Sequence, residues 1–136
     1  GWLPACIEVE RLAGAVSTLR ELADKKGRDP AQIEVAPQFV CYIGKTREEA
    51  VERFRQSQMY KHLVSLSQST LKDQGAVRHE DINLVGTAEE VIAKAKALEA
   101  AGATHLLGLY FAANTVDELF EQMQIFAEDV MPHVVS

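Results

Sequence analysis

Five residues stand where this chain could do chemistry: Trp2, Gln38, Tyr42, Tyr110 and Phe111. All lie in three apolar, nearly uncharged runs, Gly1 to Pro4, Ile33 to Ile43 and Thr104 to Phe111. Flat aromatic walls with one amide nearby suit a planar ring system, because small-molecule sites are mostly apolar with a few placed polar groups. If Gln38 points into a cavity, the period of two along a strand sends Val40 and Tyr42 the same way. The plainer reading makes all five core residues, in which case the Gln38 amide must find a buried partner.

The other candidates dissolve on inspection. Gly44-Lys45-Thr46 resembles the end of a phosphate-binding loop, but the motif needs glycine at position 39, where this chain has Phe39. No Gly-x-Gly-x-x-Gly occurs. His62, His79, His105 and His133 stand apart from any cysteine or carboxylate at ligand spacing, so no metal is expected. Ser65, Ser67 and Ser69 lie in a helical pattern rather than on a strand-to-helix elbow. Glu48-Glu49 and Glu89-Glu90 are acids in first helical turns, favoured there by the helix dipole.

Three Thr-x-x-Glu motifs mark where helices begin: Thr46–Glu49, Thr87–Glu90 and Thr115–Glu118. Each reads as a reciprocal capping box, the Thr hydroxyl accepting from the Glu N–H and the Glu carboxylate reaching back to the Thr N–H. A first helix carries Leu12, Ala15, Val16, Leu19, Leu22 and Ala23 on one stripe and stops at Gly27. A buried strand follows over Glu34 to Ile43. Helix two starts at Thr46, stutters at Gln56-Ser57-Gln58 and resumes as an inserted helix over about 58–74, with the helical pattern running to about Lys72; the insert could act as a lid or simply pack on the surface. Asp73 to Asp81 reads as a loop, and Ile82 to Gly86 as a short apolar strand. Helix three turns Val91, Ile92, Ala95, Leu98 and Ala101 inward and ends at Gly102. A second buried strand spans Thr104 to Phe111, and helix four turns Val116, Leu119, Phe120, Met123, Ala127 and Val130 inward before stopping near Pro132.

Helices alternating with buried, uncharged strands, joined by crossovers of more than a dozen residues, mean parallel strands covered by helices. A whole (β/α)8 barrel needs ~250 residues. With 136 residues the chain is a small open α/β sheet or the C-terminal part of such a barrel. It begins without Met on Gly1-Trp2-Leu3-Pro4, which reads as a strand end, so the expectation is one partial domain over 1–136, cut from something longer. Hydrophobic residues make up 47% and charged residues 25%, as in an ordinary globular protein, and the net charge of −6 disfavours a nucleic-acid partner. No apolar run approaches the roughly 20 residues of a bilayer span, and no secretory leader pattern is present, so the expectation is no membrane and a cytoplasmic location. Cys6 and Cys41 are expected as reduced, buried thiols.

Six segments in order give a further pointer: Gly1-Trp2-Leu3-Pro4, Gly27-Arg28-Asp29-Pro30, Thr46 to Ala50, Leu84 to Val91, Ala101 to Leu106 and Phe126 to Pro132. This series resembles the C-terminal portion of the bacterial luciferase-like monooxygenases, a family that includes flavin- and coenzyme F420-dependent oxidoreductases. The resemblance implies a (β/α)8 TIM barrel that holds FMN or F420 at the C-terminal ends of its strands. It implies reduction or monooxygenation of a small organic substrate by the whole protein, and an inactive isolated piece. It carries over Trp2, in the Gly-Trp that ends a strand near the cofactor. Gln38, Tyr42, Tyr110 and Phe111 rest on position alone. The expected partner is a second copy of the chain or the missing N-terminal half of the barrel. The alternative is a non-catalytic α/β module that associates with itself or another chain through open sheet edges.

Overall fold

A proline shapes the central strand. The computed structural model describes residues 1–69, 78–106 and 109–134, and in it β1 spans only Phe39–Ile43. Pro37 has no N–H to give to a ladder. It faces the flank of Thr104, and on the other flank Pro4 likewise lacks an N–H, so that before Phe39 the expected strand is reduced to isolated parallel bridges, Trp2 to Val35 and Ala5 to Gln38, on either side of Pro4. β2 (Leu84–Gly86) and β3 (Leu109–Phe111) pair with β1 on either side, both parallel, in the order β2-β1-β3.

The alternation of bonding groups along β1 fixes what lies where. The Gln38 N–H donates to the Pro4 carbonyl, the Cys6 N–H to the Gln38 carbonyl and the Gly44 N–H to the Gly86 carbonyl. Even-numbered positions therefore face one flank, where the segment 2–6 runs on into β2. The Val35 carbonyl accepts from Thr104, and the Cys41 carbonyl from Ala112, on the opposite flank. Segment 2–6, β1 and β3 thus lie side by side in sequence order, all parallel. Of the expected strand from Thr104, residues 104–106 are not strand, Leu107 and Gly108 lie outside the described residues, and β3 is less buried than expected, with Tyr110 49% exposed.

Two apolar clusters flank the sheet. On one face Phe39, Cys41 and Ile43 pack with Leu12 and Val16 of α1 (Val9–Lys25) and with Val91 and Leu98 of α5 (Ala88–Ala100). Phe126 and Val130 join them from a π-helical stretch, Phe126–Val130, that continues α6 (Val116–Ile125) into α7 (Met131–Val134). α1 packs on α5, and α5 on the π-helical stretch, so one helical layer runs α1, α5, α6. Gly102 ends α5 at φ +103, and a Cβ there would sit 2.8 Å from Val16, which ties the helix stop to α1 packing. On the other face Val40, Tyr42 and Val85 pack with Ala50 and Phe54 of α2 (Arg47–Gln56) and Leu63 of α3 (Gln58–Gln68).

The stutter between helices two and three is a true break at Ser57, which is fully buried. Its hydroxyl donates to the Phe54 carbonyl at 2.6 Å, ending α2, and accepts from the Tyr60 N–H at 3.1 Å, opening α3. Part of the expected loop is instead a helical turn, α4 (His79–Ile82), where Glu80 bonds to Arg55 and Arg78. The remainder of that loop and the extension of α3 to Lys72 lie outside the described residues.

Two expectations about the helices need correction. All three threonines cap as expected, but only Thr87 and Glu90 form a reciprocal box. Glu49 reaches the Lys45 N–H and Glu118 the Asn114 N–H, one residue before the cap in each case. The inward stripe of helix four holds at Val130, which is fully buried, but fails at three positions within α6. Val116, Phe120 and Met123 are 65%, 63% and 47% exposed, while Gln122 is buried. Gln122 turns inward because β3 stops short of the end of β1. Its amide accepts from the Ile43 N–H at 2.7 Å and donates to the Ile43 carbonyl at 2.9 Å, standing in for a neighbouring strand.

Candidate functional site

The sheet separates the five candidate residues into two groups. Val40 sits opposite Tyr110 in the ladder, so Gln38, Val40, Tyr42 and Tyr110 share one face. Phe111 points to the other face, where its ring meets Phe126 edge-on at 5.8 Å. Trp2 also belongs to that face. It bridges Val35 and lines an apolar groove of about 510 Å3 with Ala15, Leu19 and Leu22 of α1. Seven residues separate Val35 from Tyr42, so Trp2 lies about 23 Å along the strand from Tyr42 at roughly 3.3 Å per residue.

On the shared face Gln38 is only half-buried, which frees its amide from needing an internal partner. Tyr110, opposite Val40 two residues on, offers a half-exposed side chain on the same face. Tyr42 is buried, and its hydroxyl donates to Glu118 at 3.1 Å. Burial, then this bond to a carboxylate, pushes the phenol up to about 12, so it stays a hydrogen-bond donor across the physiological range. The second Glu118 oxygen accepts the Asn114 N–H at 2.7 Å, so one carboxylate joins β1 to the loop that follows β3. Over this face Tyr60 of α3 packs edge-on against Phe54 at 5.3 Å and His79 at 5.9 Å. Burial lowers the pKa of His79, against the opposing pull of Glu80.

The strands end in a polar cleft of about 440 Å3, lined by Tyr42, Gly44, Lys45, Thr87 and Glu121 among others. It opens between the N-termini of α2 and α5. Gly44 lets α2 come close, since a Cβ there would sit 2.8 Å from the Ala50 nitrogen. Lys45 gives its N–H to Glu49 and Thr46 caps α2, so the Gly-Lys-Thr run serves the helix start.

Several polar residues that join the elements carried no motif. Asn83 is buried between segment 2–6 and β1. Its side-chain oxygen accepts from the Val40 N–H at 2.8 Å and from the Cys6 thiol at 3.4 Å, and its amide donates to the His79 carbonyl. The Lys94 ammonium donates to the carbonyls of Asn83 and Asp81, and burial lowers its pKa to about 8. Burial alone would raise the pKa of Glu80, yet a backbone N–H with Arg55 and Arg78 holds it below the ordinary value. Both cysteines are free. Cys41 is buried, which pushes its thiol up to about 12, while Cys6 is only half-buried, contrary to expectation. A single polar residue in an apolar run was the available signal for Asn83. Nothing in helical periodicity marked Gln122.

Sequential parallel strands under one layer of crossover helices define a portion of a (β/α) barrel. The profile of luciferase-like monooxygenases matches residues 1–105, and the chain belongs to that family. Solved structures share the fold. The monooxygenase RslO1 from Streptomyces bottropensis superposes with a TM-score of 0.72 at 23% identity, over 98% of this chain and 41% of its own. An F420-dependent secondary alcohol dehydrogenase gives 0.70 at 22%, over 98% and 42%. The oxygenating constituent of 3,6-diketocamphane monooxygenase from Pseudomonas putida, solved with FMN, gives 0.70 at 18%, over 98% and 42%. The chain therefore spans about two fifths of the length of these structures. No curated protein matches it in sequence. No helix among the described residues is long and apolar enough to cross a membrane.

Proposed function

We propose that the chain is part of a flavin- or F420-dependent oxidoreductase or monooxygenase acting on a small organic substrate, and that the cofactor ring lies on the face bearing Gln38, Tyr42 and Tyr110. The half-exposed Tyr110 side chain, on the same face as the half-buried Gln38, carries this reading. It provides a flat apolar wall with one polar group, on a fold whose solved neighbours include a complex with FMN and one with an F420–acetone adduct. FMN or F420 bound there would supply the redox chemistry, and the protein binding and orientation. Tyr110 stacks, Gln38 offers its amide to a ring edge, and Glu118 fixes Tyr42 as a donor behind them. Trp2 and Phe111, on the opposite face, support packing.

The described residues supply one wall of such a cavity, so the isolated 136-residue chain should bind FMN or F420 weakly and catalyse nothing by itself. Titration of the isotopically labelled chain with each cofactor tests both points. NMR shifts should concentrate at Gln38, Val40 and Tyr110 and vanish in Tyr110→Ala. Shifts confined to the Trp2 groove would sink the placement, and micromolar or tighter affinity would sink the single-wall reading.

A further inference from the structure

α3 begins with an N–H that its own helix cannot satisfy, and the stretch that carries Tyr110 satisfies it. The first N–H groups of any helix lack partners within it. Ser57 takes the Tyr60 N–H, and the Gln58 N–H donates instead to the Asn114 side-chain oxygen at 3.2 Å, across 56 residues of sequence. Asn114 is held in turn. Its own N–H donates to Glu118 at 2.7 Å, and the other Glu118 oxygen takes the Tyr42 hydroxyl at 3.1 Å. Between Tyr110 and Asn114 lies Ala112, which is 1% exposed and joins Leu63 of α3 in the cluster with Val40 and Tyr42. The Ala112 N–H continues the ladder beyond β3, donating to the Cys41 carbonyl at 3.0 Å. One short stretch thus bears the wall residue Tyr110, the apolar seat of α3 at Ala112 and the polar tie to α3 at Asn114.

We propose that Asn114 is a positioning residue of the candidate site: its side-chain oxygen fixes the start of α3 against the stretch that bears Tyr110, and so sets the room between α3 and the Tyr110 side chain. This rests on the placement of the cofactor ring proposed above. The two ties of α3 do different work. Apolar packing at Leu63 keeps the helix on the sheet but is non-directional, so it permits sliding. A hydrogen bond weakens steeply as it lengthens or bends, so the Gln58 N–H fixes where the helix starts. Through Glu118 the same connection reaches Tyr42, so both tyrosines of the face and the helix over it share one frame. The chemistry of position 114 follows. Alanine leaves the Gln58 N–H to water. Aspartate keeps an acceptor, and its charge is favoured beside the N-terminus of α3.

Amide hydrogen exchange on the whole 136-residue chain without ligand tests it first, with Asn114→Ala and Asn114→Asp as variants. Asn114→Ala should speed exchange of the α3 amides from Lys61 to Gln68 about fivefold, the equilibrium factor of one ordinary hydrogen bond, and leave α5 and β1 unchanged. Asn114→Asp should restore the parent rates. FMN titration followed by NMR then reads the site. The affinity given by shifts at Gln38, Val40 and Tyr110 should fall about fivefold in Asn114→Ala and recover in Asn114→Asp. Rates in α3 that ignore Asn114→Ala overturn the proposal whatever FMN does, and so does a failure of Asn114→Asp to restore them. An FMN affinity unchanged in Asn114→Ala, with the shifts still on Gln38, Val40 and Tyr110, overturns it as well. A parent chain that shows no shifts on that face refutes the ring placement instead, and the α3 rates then decide by themselves whether Asn114 fixes the helix.

Discussion

α5 and α6 begin alike and end up facing opposite ways. Both open on a threonine that accepts from the N–H of a glutamate three residues on. Both carry apolar residues at helical spacing. α5 buries its stripe, with Val91, Ala95 and Leu98 in or beside the core. α6 exposes its stripe and buries an amide. The difference lies in what the neighbouring strands still need. α5 crosses over strands that complete each other, so its work is to cover apolar surface. α6 lies beside the unfinished end of β1, where the Ile43 N–H and carbonyl would otherwise be buried without partners, and Gln122 meets them both. Each unpaired backbone group left in the interior costs about 1–3 kcal/mol, so the amide takes the inner position.

That account can be broken most directly by truncation. Leu98→Ala should cost about 3 kcal/mol of stability, the usual loss for a fully buried leucine. Phe120→Ala should change stability by less than about 0.5 kcal/mol. Urea unfolding of both variants gives the comparison, and equal losses would mean that the stripe of α6 is covered within one chain. Next in size is Gln122→Leu. It keeps the bulk and removes both bonds to Ile43, and should cost about 2 kcal/mol. A neutral result would show that solvent reaches the end of β1 and that Gln122 is not what turns the helix.

The same contrast sets what could be read from the residues alone. Helix starts were legible because capping is local: a threonine and the backbone three residues ahead decide it. Parallel α/β architecture was legible because uncharged runs alternating with amphipathic ones leave few alternatives. The orientation of α6 was not, since periodicity shows which residues share a side and not which side has a neighbour. The strand over Glu34 to Ile43 was read too long because Pro4 and Pro37, neither with an N–H to give, interrupt the ladders on its two flanks while Val35, Ala36 and Phe39 stay apolar and buried. At the candidate site, alternation correctly grouped Gln38, Val40 and Tyr42. It could not reveal that Trp2 pairs with Val35 rather than near Tyr42, because register across strands distant in sequence is a tertiary fact. Asn83 escaped notice, and Glu118 was read only as a capping acid, for the same reason, as their partners Val40 and Tyr42 lie 43 and 76 residues away.

The finest distinction between the two helices lies in their caps. Thr87 accepts the Glu90 N–H while Glu90 accepts the Thr87 N–H at 2.9 Å, so the two bonds form one local unit. At Thr115 the glutamate is used elsewhere, on Asn114 and on the Tyr42 hydroxyl. Thr87→Ala should therefore cost about 1 kcal/mol and loosen Glu90 as well. Thr115→Ala should cost a similar or smaller amount and leave Glu118 in place, because its other partners hold it. The readout that separates them is the Tyr42 phenol, followed by ultraviolet titration. Thr115→Ala should leave its ionisation near 12, whereas Glu118→Gln should bring it down by removing the carboxylate it faces. If Thr115→Ala lowers the phenol as much as Glu118→Gln does, the cap itself positions the carboxylate, and the contrast drawn between the two helix starts fails.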